Sequence, residues 1–379
     1  MIGWPVKTVR VLFALLAGSV CVVCLLQSAA EARGRFAGKR VIFDESTGWT
    51  TPEGAARTLA RVKAAGFNVY APNVWHGRGT TWPSQYAPWD PRVNGVSRAG
   101  SDPLRHLVAA AHAMGIEVHA WFTVVLRQAD LHPELALPSA GGEEEGAFDV
   151  HNERFHRWMA DLIGEVAGRY DLDGVNLDYV RAVKLCDTEF CKRDYFAKYG
   201  RSLSADSLIV NVTPRLAPTL VEYQKTAVTS LVSAISHRIR SLKPGLVISV
   251  DAIPDVAGPE QGQDAVEWVN RGLVDTLFRM DYYRTIDVRL TDSIRARLRE
   301  PDALTLLIAN VTDHTELRSG QSHAPRDGRW LAETVSMIQR RWPDTGVGVY
   351  LYTMLSDEQV RALRSGPFAL PRPEGLSVR

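Results

Sequence analysis

Carboxylates end several strand-like segments of this 379-residue sequence. The central segment, Asp171-Leu-Asp-Gly-Val-Asn-Leu-Asp178, alternates apolar and polar residues, so that Asn176 and Asp178 share one face of a predicted strand. A second strand-like run, Leu246-Val-Ile-Ser-Val-Asp251, ends in the same way. Two carboxyl groups that face each other can hydrolyse a glycosidic bond, one by protonating the leaving oxygen and the other by attacking the sugar or activating water. We therefore expect Asp178 and Asp251 to be a catalytic pair.

Two other strand-like runs end in a carboxylate. Asp44 closes the first run and is expected at the same edge, as a substrate-binding group, whereas Asp281 lies between Met280 and Tyr282 and points away if those two face inward. Tyr282 and Arg181 are then placed to hold sugar hydroxyls or to position a carboxylate. The simpler alternative is that Asp178 only caps a loop or forms an ion pair with Arg181.

Aromatic residues are concentrated after the second predicted strand, which ends at Asn73. The segment 74–101 contains Trp75, His76, Trp82, Tyr86 and Trp89. Long loops in compact domains are usually functional, and aromatic side chains stack on sugar rings. Asn73 and Trp75 are therefore predicted to bind substrate, although the same aromatics could instead fold under the loop as a small core.

The sequence does not decide which face of the third predicted strand, Ile116-Glu-Val-His-Ala-Trp-Phe122, points inward. Either Val118, Ala120 and Phe122 point inward, or Glu117, His119 and Trp121 do. The second set would add His119 and Trp121 to the substrate-binding residues, together with Asn176. A divalent-metal hydrolase that uses the aspartates with His119 is a weaker reading, because no His-x-His pair closes the first strand or its neighbours. We expect no metal and no cofactor.

These residues are positioned by alternating strands and helices. Eight strand-like runs alternate with helical ones, and glycines at 66, 115 and 245 mark repeated helix-to-strand joins. Such a pattern predicts a single (β/α)8 barrel with long loops after strands 2 and 4, in which strand ends carry the catalytic groups. An open doubly wound sheet is the competing fold, but Asp44-Glu-Ser-Thr-Gly follows the first strand in place of a glycine-rich phosphate loop.

Charge and the amino-terminal sequence predict the partners and the location. The net charge is +1 and the basic residues are scattered, which gives no reason to expect a nucleic-acid partner. Lys7 and Arg10, an apolar run and Ala30-Glu-Ala32 are typical of a signal peptide at 1–32, with the barrel at 33–379. The mature protein is expected to be periplasmic or secreted and away from the membrane; an uncleaved segment would anchor it. The sequence leaves the oligomeric state open.

Two cysteines remain outside the predicted signal peptide, Cys186 and Cys191. Their close spacing after the central strand favours a disulfide in an exported protein. A metal site would need two further soft ligands nearby in the sequence, and none is present.

The central strand also carries a family resemblance. Asp173-Gly-Val-Asn-Leu-Asp-Tyr-Val-Arg181, with Asn68-Val-Tyr, Asp102-Pro-Leu and Glu117-Val-His-Ala-Trp-Phe, resembles glycosyl hydrolase-like family 10, a group of bacterial exported or lipid-anchored proteins with a (β/α)8 barrel. The likeness extends over roughly strand 1 to strand 8. It implies an exported hydrolase that acts on a polysaccharide.

The same strand is more distantly similar to the Asp-Gly-x-Asp-x-Asp-x-Glu signature of glycoside hydrolase family 18, and Met280-Asp-Tyr282 is similar to that family's Met-x-Tyr. Asn176 and Val180 stand where that signature has an Asp and its acid Glu. The family 18 mechanism therefore does not carry over. The loss of the acid also supports an alternative function, a non-catalytic carbohydrate-binding protein on a degenerate barrel.

Overall fold

The computed structural model describes residues 36–93, 100–128, 131–137, 145–183, 185–210, 217–253, 261–313, 315–317 and 321–369. The predicted signal peptide lies outside the described residues. In the part that is described, no helix has both the length and the apolar character needed to cross a membrane.

Eight parallel strands close into a barrel, as the sequence predicts. In chain order they are β1 (Arg40–Asp44), β2 (Val69–Trp75), β3 (Glu117–Thr123), β6 (Gly174–Asp178), β7 (Val247–Ala252), β8 (Thr276–Asp281), β9 (Leu304–Ala309) and β10 (Val347–Tyr350). Each strand pairs with its neighbours in chain order, and β10 pairs with β1. The carboxyl ends of all eight strands therefore surround one mouth.

Helices cover the outside of the barrel. They are α1 (Pro52–Ala65), α2 (Pro103–Ala113), α3 (Glu153–Arg169), α4 (Glu189–Tyr199), α5 (Leu203–Val210), α6 (Pro218–Leu242), α7 (Ala265–Asn270), α8 (Val288–Arg295), α9 (Gly328–Arg341) and α10 (Asp357–Ser365). Short 3₁₀ turns lie at Gly48–Thr50, Pro133–Leu135, Pro301–Ala303 and Tyr352–Met354. Side-chain caps begin several helices, such as the Thr51 hydroxyl at α1 and the Ser356–Gln359 capping box at α10.

Alternate residues of each strand divide between two cores. Outward residues such as Val118, Ala120 and Phe122 pack under the helices in the main core. Inward residues such as Phe43, Trp121, Phe278 and Leu307 fill the barrel itself. On β3 the inward set is thus the one that contains His119 and Trp121.

Glycines make room for rings inside the barrel. A Cβ on Gly174 would lie 2.4 Å from Nδ1 of His119. On Gly348 it would lie 2.9 Å from the Leu307 side chain and 3.1 Å from the Phe278 ring. Any larger residue at either position would displace a buried ring, because interiors are closely packed.

Two features of the loops add to what the sequence predicts. A short antiparallel hairpin, β4 (Leu126–Gln128) and β5 (Glu145–Ala147), lies between β3 and α3. In the loop after β2, Trp82 is fully buried against Phe122, and its indole N–H donates to Glu165 Oε2 at 2.8 Å. Of the two readings of this loop, the small core is the one found for Trp82.

Candidate active site

Asp178 and Asp251 come from neighbouring strands, β6 and β7, and both face the mouth of the barrel. The amide of Asn176, one pleat below Asp178, donates to Asp251 Oδ1 at 2.8 Å and to Ser249 Oγ at 3.1 Å. Asp251 is buried, with 1% of its surface exposed, whereas Asp178 is partly exposed. Asp178 is therefore the member of the pair that a substrate can reach.

Two N–H groups hold the Asp178 carboxylate. The backbone N–H of Tyr179 donates to Oδ1 at 2.6 Å, and the Trp121 indole donates to Oδ2 at 3.3 Å. Tyr179 adopts a left-handed conformation with φ of 55°, which is uncommon for a residue with a side chain. The Arg181 guanidinium lies 4.3 Å from the centre of the Tyr179 ring. This turn fixes the direction of the carboxylate at the end of the strand.

Burial raises the pKa of both carboxyls above the ordinary value of 3.8. The pKa of Asp251 is raised further by the charge of Asp178, and the amide of Asn176 opposes that rise only in part. The Tyr179 N–H, Arg181 and the Trp121 indole all stabilise the charged form of Asp178 and so work against the rise of its pKa. The pKa of Asp251 is therefore raised further than that of Asp178, so that Asp251 is the carboxyl of the pair that holds a proton more readily.

Two tyrosines lie beside this pair. The rings of Tyr282 and Tyr350 stack with centroids 5.3 Å apart, and the Tyr350 ring meets Trp121 edge-on at 6.3 Å. Burial raises the pKa of Tyr282 well above its ordinary value, and the charges of Asp178 and Asp251 raise it further. Burial also raises the pKa of Tyr350, so both phenols stay protonated, and the Tyr282 hydroxyl can donate to a ligand.

A cavity of about 720 Å³ opens at the same end of the barrel. Tyr282 and Tyr350 belong to its wall, with Glu45, Met280 and the exposed ring of Tyr283. Asp178 and Asp251 are not part of that wall, so the two tyrosines connect the cavity to the carboxyl pair. A large, partly apolar cleft with a few polar groups is the usual form of a small-molecule site.

Glu45 is a carboxyl of this site that the sequence reading did not select. It accepts a hydrogen bond from the Tyr350 hydroxyl at 3.1 Å and is partly exposed in the cavity wall. Strand alternation could have identified it, because Val41 and Phe43 face inward and Glu45 continues that face.

Three residues expected at the site lie elsewhere. Asp44 has the opposite orientation to Phe43 and is fully buried, where it accepts a hydrogen bond from the Tyr70 hydroxyl at 2.6 Å. Trp75 follows a register shift after Asn73, and this irregularity turns its ring outward to pack against Trp158. His119 faces inward but lies near the amino-terminal end of the barrel, where it contacts Phe36 and lies 3.6 Å from Glu117.

Asn73 differs from these three. Its side chain is 1% exposed, and neither its amide nitrogen nor its amide oxygen has a hydrogen-bond partner among the described residues. Asn73 is paired in register with Trp121, so its amide lies on β2. This strand is next to β3, from which the Trp121 indole binds Asp178. Asp281, by contrast, points outward to Arg279 and the backbone N–H of Asp287, as expected.

Comparison with known proteins agrees with this architecture. Glycosyl hydrolase DigH of Escherichia coli strain K12 is 23% identical over 262 residues, which cover 59% of this chain and 56% of that protein. The chain thus matches about half the length of this relative. The glycoside hydrolase domain of PgaB (BpsB) from Bordetella bronchiseptica superposes with a TM-score of 0.62 at 13% identity, over 86% of this chain and 98% of that one. α-L-Fucosidase isoenzyme 2 from Paenibacillus thiaminolyticus gives a TM-score of 0.57 at 14% identity, over 88% and 49%.

At such identities the two solved structures show a shared barrel fold. The family assignment comes from a sequence model described as Glycosyl hydrolase-like 10, which matches residues 43–138 and 143–304, more than half of the chain. The match stops where β9 begins, so it covers less of the barrel than the resemblance suggested. The more distant similarity to glycoside hydrolase family 18 is not confirmed. The chain belongs to glycosyl hydrolase-like family 10.

Proposed function

We propose that this protein is an exported glycosidase that cleaves a polysaccharide at the mouth of the barrel, with Asp178 as its reacting carboxylate. The observation that carries this proposal is the Asp178–Asp251 pair on neighbouring strands, in which Asp178 is partly exposed and Asp251 is buried, with its pKa raised further. A carboxylate that is kept ionised by a protonated neighbour is suited to act as a nucleophile or as a base for water.

Glycoside hydrolysis also needs a group that protonates the leaving oxygen. Asp251 is too deeply buried to reach a substrate, so its role is to hold the proton and to keep Asp178 charged. Three carboxyls belong to the cavity wall, and two of them, Asp281 and Asp313, are buried in ion pairs with Arg279 and Arg326. Glu45 is the partly exposed one, and its charge raises the pKa of the same two tyrosines as that of Asp178 does. We therefore assign the acid role to Glu45.

The stacked tyrosines, which are partly exposed in the cavity wall, are the groups suited to bind sugar. Ring faces stack on the apolar faces of pyranoses, and a phenol can donate to hydroxyls. Asn73 and Trp121 are as deeply buried as Asp251 and support the site without contact to the sugar. Bacterial exopolysaccharides and peptidoglycan glycan strands are the substrate classes to screen, because an exported bacterial protein meets both.

The test compares three variants on the polysaccharide that the wild-type protein hydrolyses. Asp178→Asn and Glu45→Gln should each lower turnover by at least about 100-fold, the scale of general acid–base catalysis. Asp173→Asn is the matched control, since Asp173 precedes the same strand at its amino end, where it binds the Val118 N–H and His112. That control should change stability and leave turnover per folded molecule unaltered.

An aryl glycoside of the same sugar separates the two roles. A good leaving group departs without protonation, so Glu45→Gln should recover most of its activity on this substrate, whereas Asp178→Asn should not. Full turnover by a well-folded Asp178→Asn protein would refute the assignment. If the wild-type protein binds glycans and releases no product from any of them, the chain is a carbohydrate-binding protein.

A further inference from the structure

Four buried side chains with metal-ligating atoms meet outside the candidate active site. Asp149 and His151 lie in the loop between β5 and α3, Cys186 lies in the connection after β6, and Cys191 lies in the first turn of α4. One ligand atom from each residue lies within 4.8 Å of the others, and all four residues are buried. The two cysteines form the predicted disulfide in this structure.

His151 is the member of this cluster whose surroundings are unexplained. Its side chain is 3% exposed, and neither ring nitrogen has a hydrogen bond among the described residues. The imidazole stacks on the Tyr223 ring at 4.4 Å, and Nδ1 lies 3.3 Å from Asp149 Oδ1 without hydrogen-bond geometry. Buried imidazole nitrogens normally form hydrogen bonds. Two ring nitrogens that lack them, beside two sulfurs and a carboxylate, therefore point to a ligand that binds there.

We infer that the reduced form of this cluster is a binding site for a soft divalent cation of the zinc type, with Asp149, His151, Cys186 and Cys191 as its ligands. A dithiol first reduces the disulfide by two electrons, which yields two thiols and the oxidised, cyclic form of the dithiol. The cation then replaces the two thiol protons, so that binding releases two protons to the solvent.

The ligand set matches the chemistry of such an ion. Zinc prefers tetrahedral sites made of thiolate sulfur and imidazole nitrogen, and it also accepts carboxylate oxygen. With metal–sulfur bonds of about 2.3 Å, the two sulfurs of a tetrahedral site stand about 3.8 Å apart. The Cα atoms of the cysteines are 6.1 Å apart, and only the side chains would need to rotate.

Neighbouring groups already support the sulfurs. The Thr188 hydroxyl lies 3.1 Å from Cys186 Sγ and accepts a hydrogen bond from the backbone N–H of Cys191 at 3.2 Å. The backbone N–H of His151 donates to Asp149 Oδ1 at 2.9 Å, which fixes that carboxylate beside the cluster. Such outer contacts orient ligands in metal sites.

The sequence favours a disulfide over a metal site, because no further soft ligand stands near the cysteines in the chain. Between His151 and Cys186 the chain forms the helix α3 and the strand β6. The barrel brings together the loop before α3 and the connection after β6. The disulfide joins only Cys186 and Cys191, which both lie in the connection after β6. A bound cation would in addition tie that connection to Asp149 and His151 in the loop before α3.

Cobalt(II) titration of the mature chain from Arg33, whose only cysteines are Cys186 and Cys191, tests the inference. The protein is reduced with dithiothreitol, separated from the reductant without oxygen, and titrated with Co²⁺. One equivalent should bind and should give thiolate-to-cobalt charge-transfer absorption together with the visible bands of a tetrahedral ion. Zn²⁺ should displace the cobalt and bleach those bands, whereas the oxidised chain should give no thiolate band.

Substitution of His151 tests whether its imidazole is one of the ligands. In the reduced chain, His151→Asn should weaken Co²⁺ binding by more than the roughly 10–100-fold that loss of an outer-shell partner costs. His156→Asn is the control, because that buried imidazole bonds to the Val150 carbonyl at 2.7 Å and is not a ligand. Both variants keep the disulfide for purification. Cobalt affinity that is unchanged in His151→Asn, or absent from the reduced wild-type chain, would overturn the inference.

Discussion

The chemistry of the site depends on which oxygen atoms are charged. Asp251 is buried next to Asp178, and its one hydrogen-bond donor among the described residues is the Asn176 amide. A single amide does not replace the hydration that a carboxylate loses on burial, so Asp251 retains a proton. Asp178, Asn176 and Asp251 are predicted from strand ends and strand alternation, because those patterns depend on nearby residues alone. The sequence leaves the face of Trp121 open, and the inward face of Tyr282 follows only from the resemblance to glycoside hydrolase family 18.

Replacement of Asp251 by asparagine should stabilise the protein at neutral pH. The folded-state pKa of Asp251 is raised above its ordinary value of 3.8, so folding becomes less favourable as pH rises above that value. Asp251→Asn removes this penalty and keeps an oxygen for the Asn176 amide. We expect a higher Tm than wild type at neutral pH and a difference that shrinks as the pH falls to the ordinary carboxyl range. Thermal melts at several pH values measure it, and a lower Tm at every pH would contradict the assigned protonation.

Replacement of Trp121 by phenylalanine should move the pH profile of activity. The indole N–H stabilises the charged form of Asp178, so its loss raises the pKa of that carboxyl. If Asp178 acts as a carboxylate, the acidic limb of kcat/KM shifts to higher pH in Trp121→Phe. Phe43→Leu, which removes a ring that packs edge-on against Trp121 and no hydrogen bond, serves as the control. An unshifted acidic limb would show that the indole does not act on the reacting group.

At the level of single elements, the alternation of side chains along a strand decides which of them point into the barrel. The outward orientation of Asp44 and the inward orientation of Glu45 follow from one alternation along β1. The register shift between Asn73 and Trp75 turns the Trp75 side chain to the outer face of β2, and no residue pattern in the segment predicts this shift. Helix ends depend less on distant contacts, since caps such as Thr51 and Ser356 bind backbone groups within a few residues.

Gly174→Ala should destabilise the barrel by about 1–3 kcal/mol, the usual cost of overpacking. The added Cβ would lie 2.4 Å from the imidazole of His119 on the adjacent strand. His119→Ala should make room for it, so the double variant should lose less than the sum of the single losses. Denaturant unfolding of all four proteins gives the coupling. Additive losses would mean that His119 does not pack on Gly174.

At the scale of the whole molecule, repetition of the βα unit made the barrel predictable. The regular helix-to-strand joins specify parallel strands, and eight units close on themselves. Contacts between distant loops could not be predicted in this way, because no short-range pattern links them. The approach of Asp149 and His151 to the cysteine pair and the stacking of Tyr282 on Tyr350 are both of this kind.

The export of the protein remains a prediction with a direct test. We expect the mature chain to begin near Arg33 and to carry the Cys186–Cys191 disulfide, which should contribute about 2 kcal/mol by closing so short a loop. Intact-mass spectrometry of non-reduced protein from the periplasm or the medium measures both properties. An intact amino terminus would favour the membrane-anchored form, and two free thiols would show that the disulfide does not form during export.

The left-handed turn at Tyr179 also limits how this barrel can evolve. Val180, the residue after it, is fully buried in the main core. A glutamate at this position, where family 18 chitinases carry their acid, would be an unpaired charge among apolar side chains. A single substitution at Val180 could therefore not add a second carboxyl to the mouth of the barrel, because the turn at Tyr179 directs that side chain into the core. The turn thus restricts the carboxyl of this strand end to position 178, and selection can more easily provide a further acid after another strand, as with Glu45 after β1.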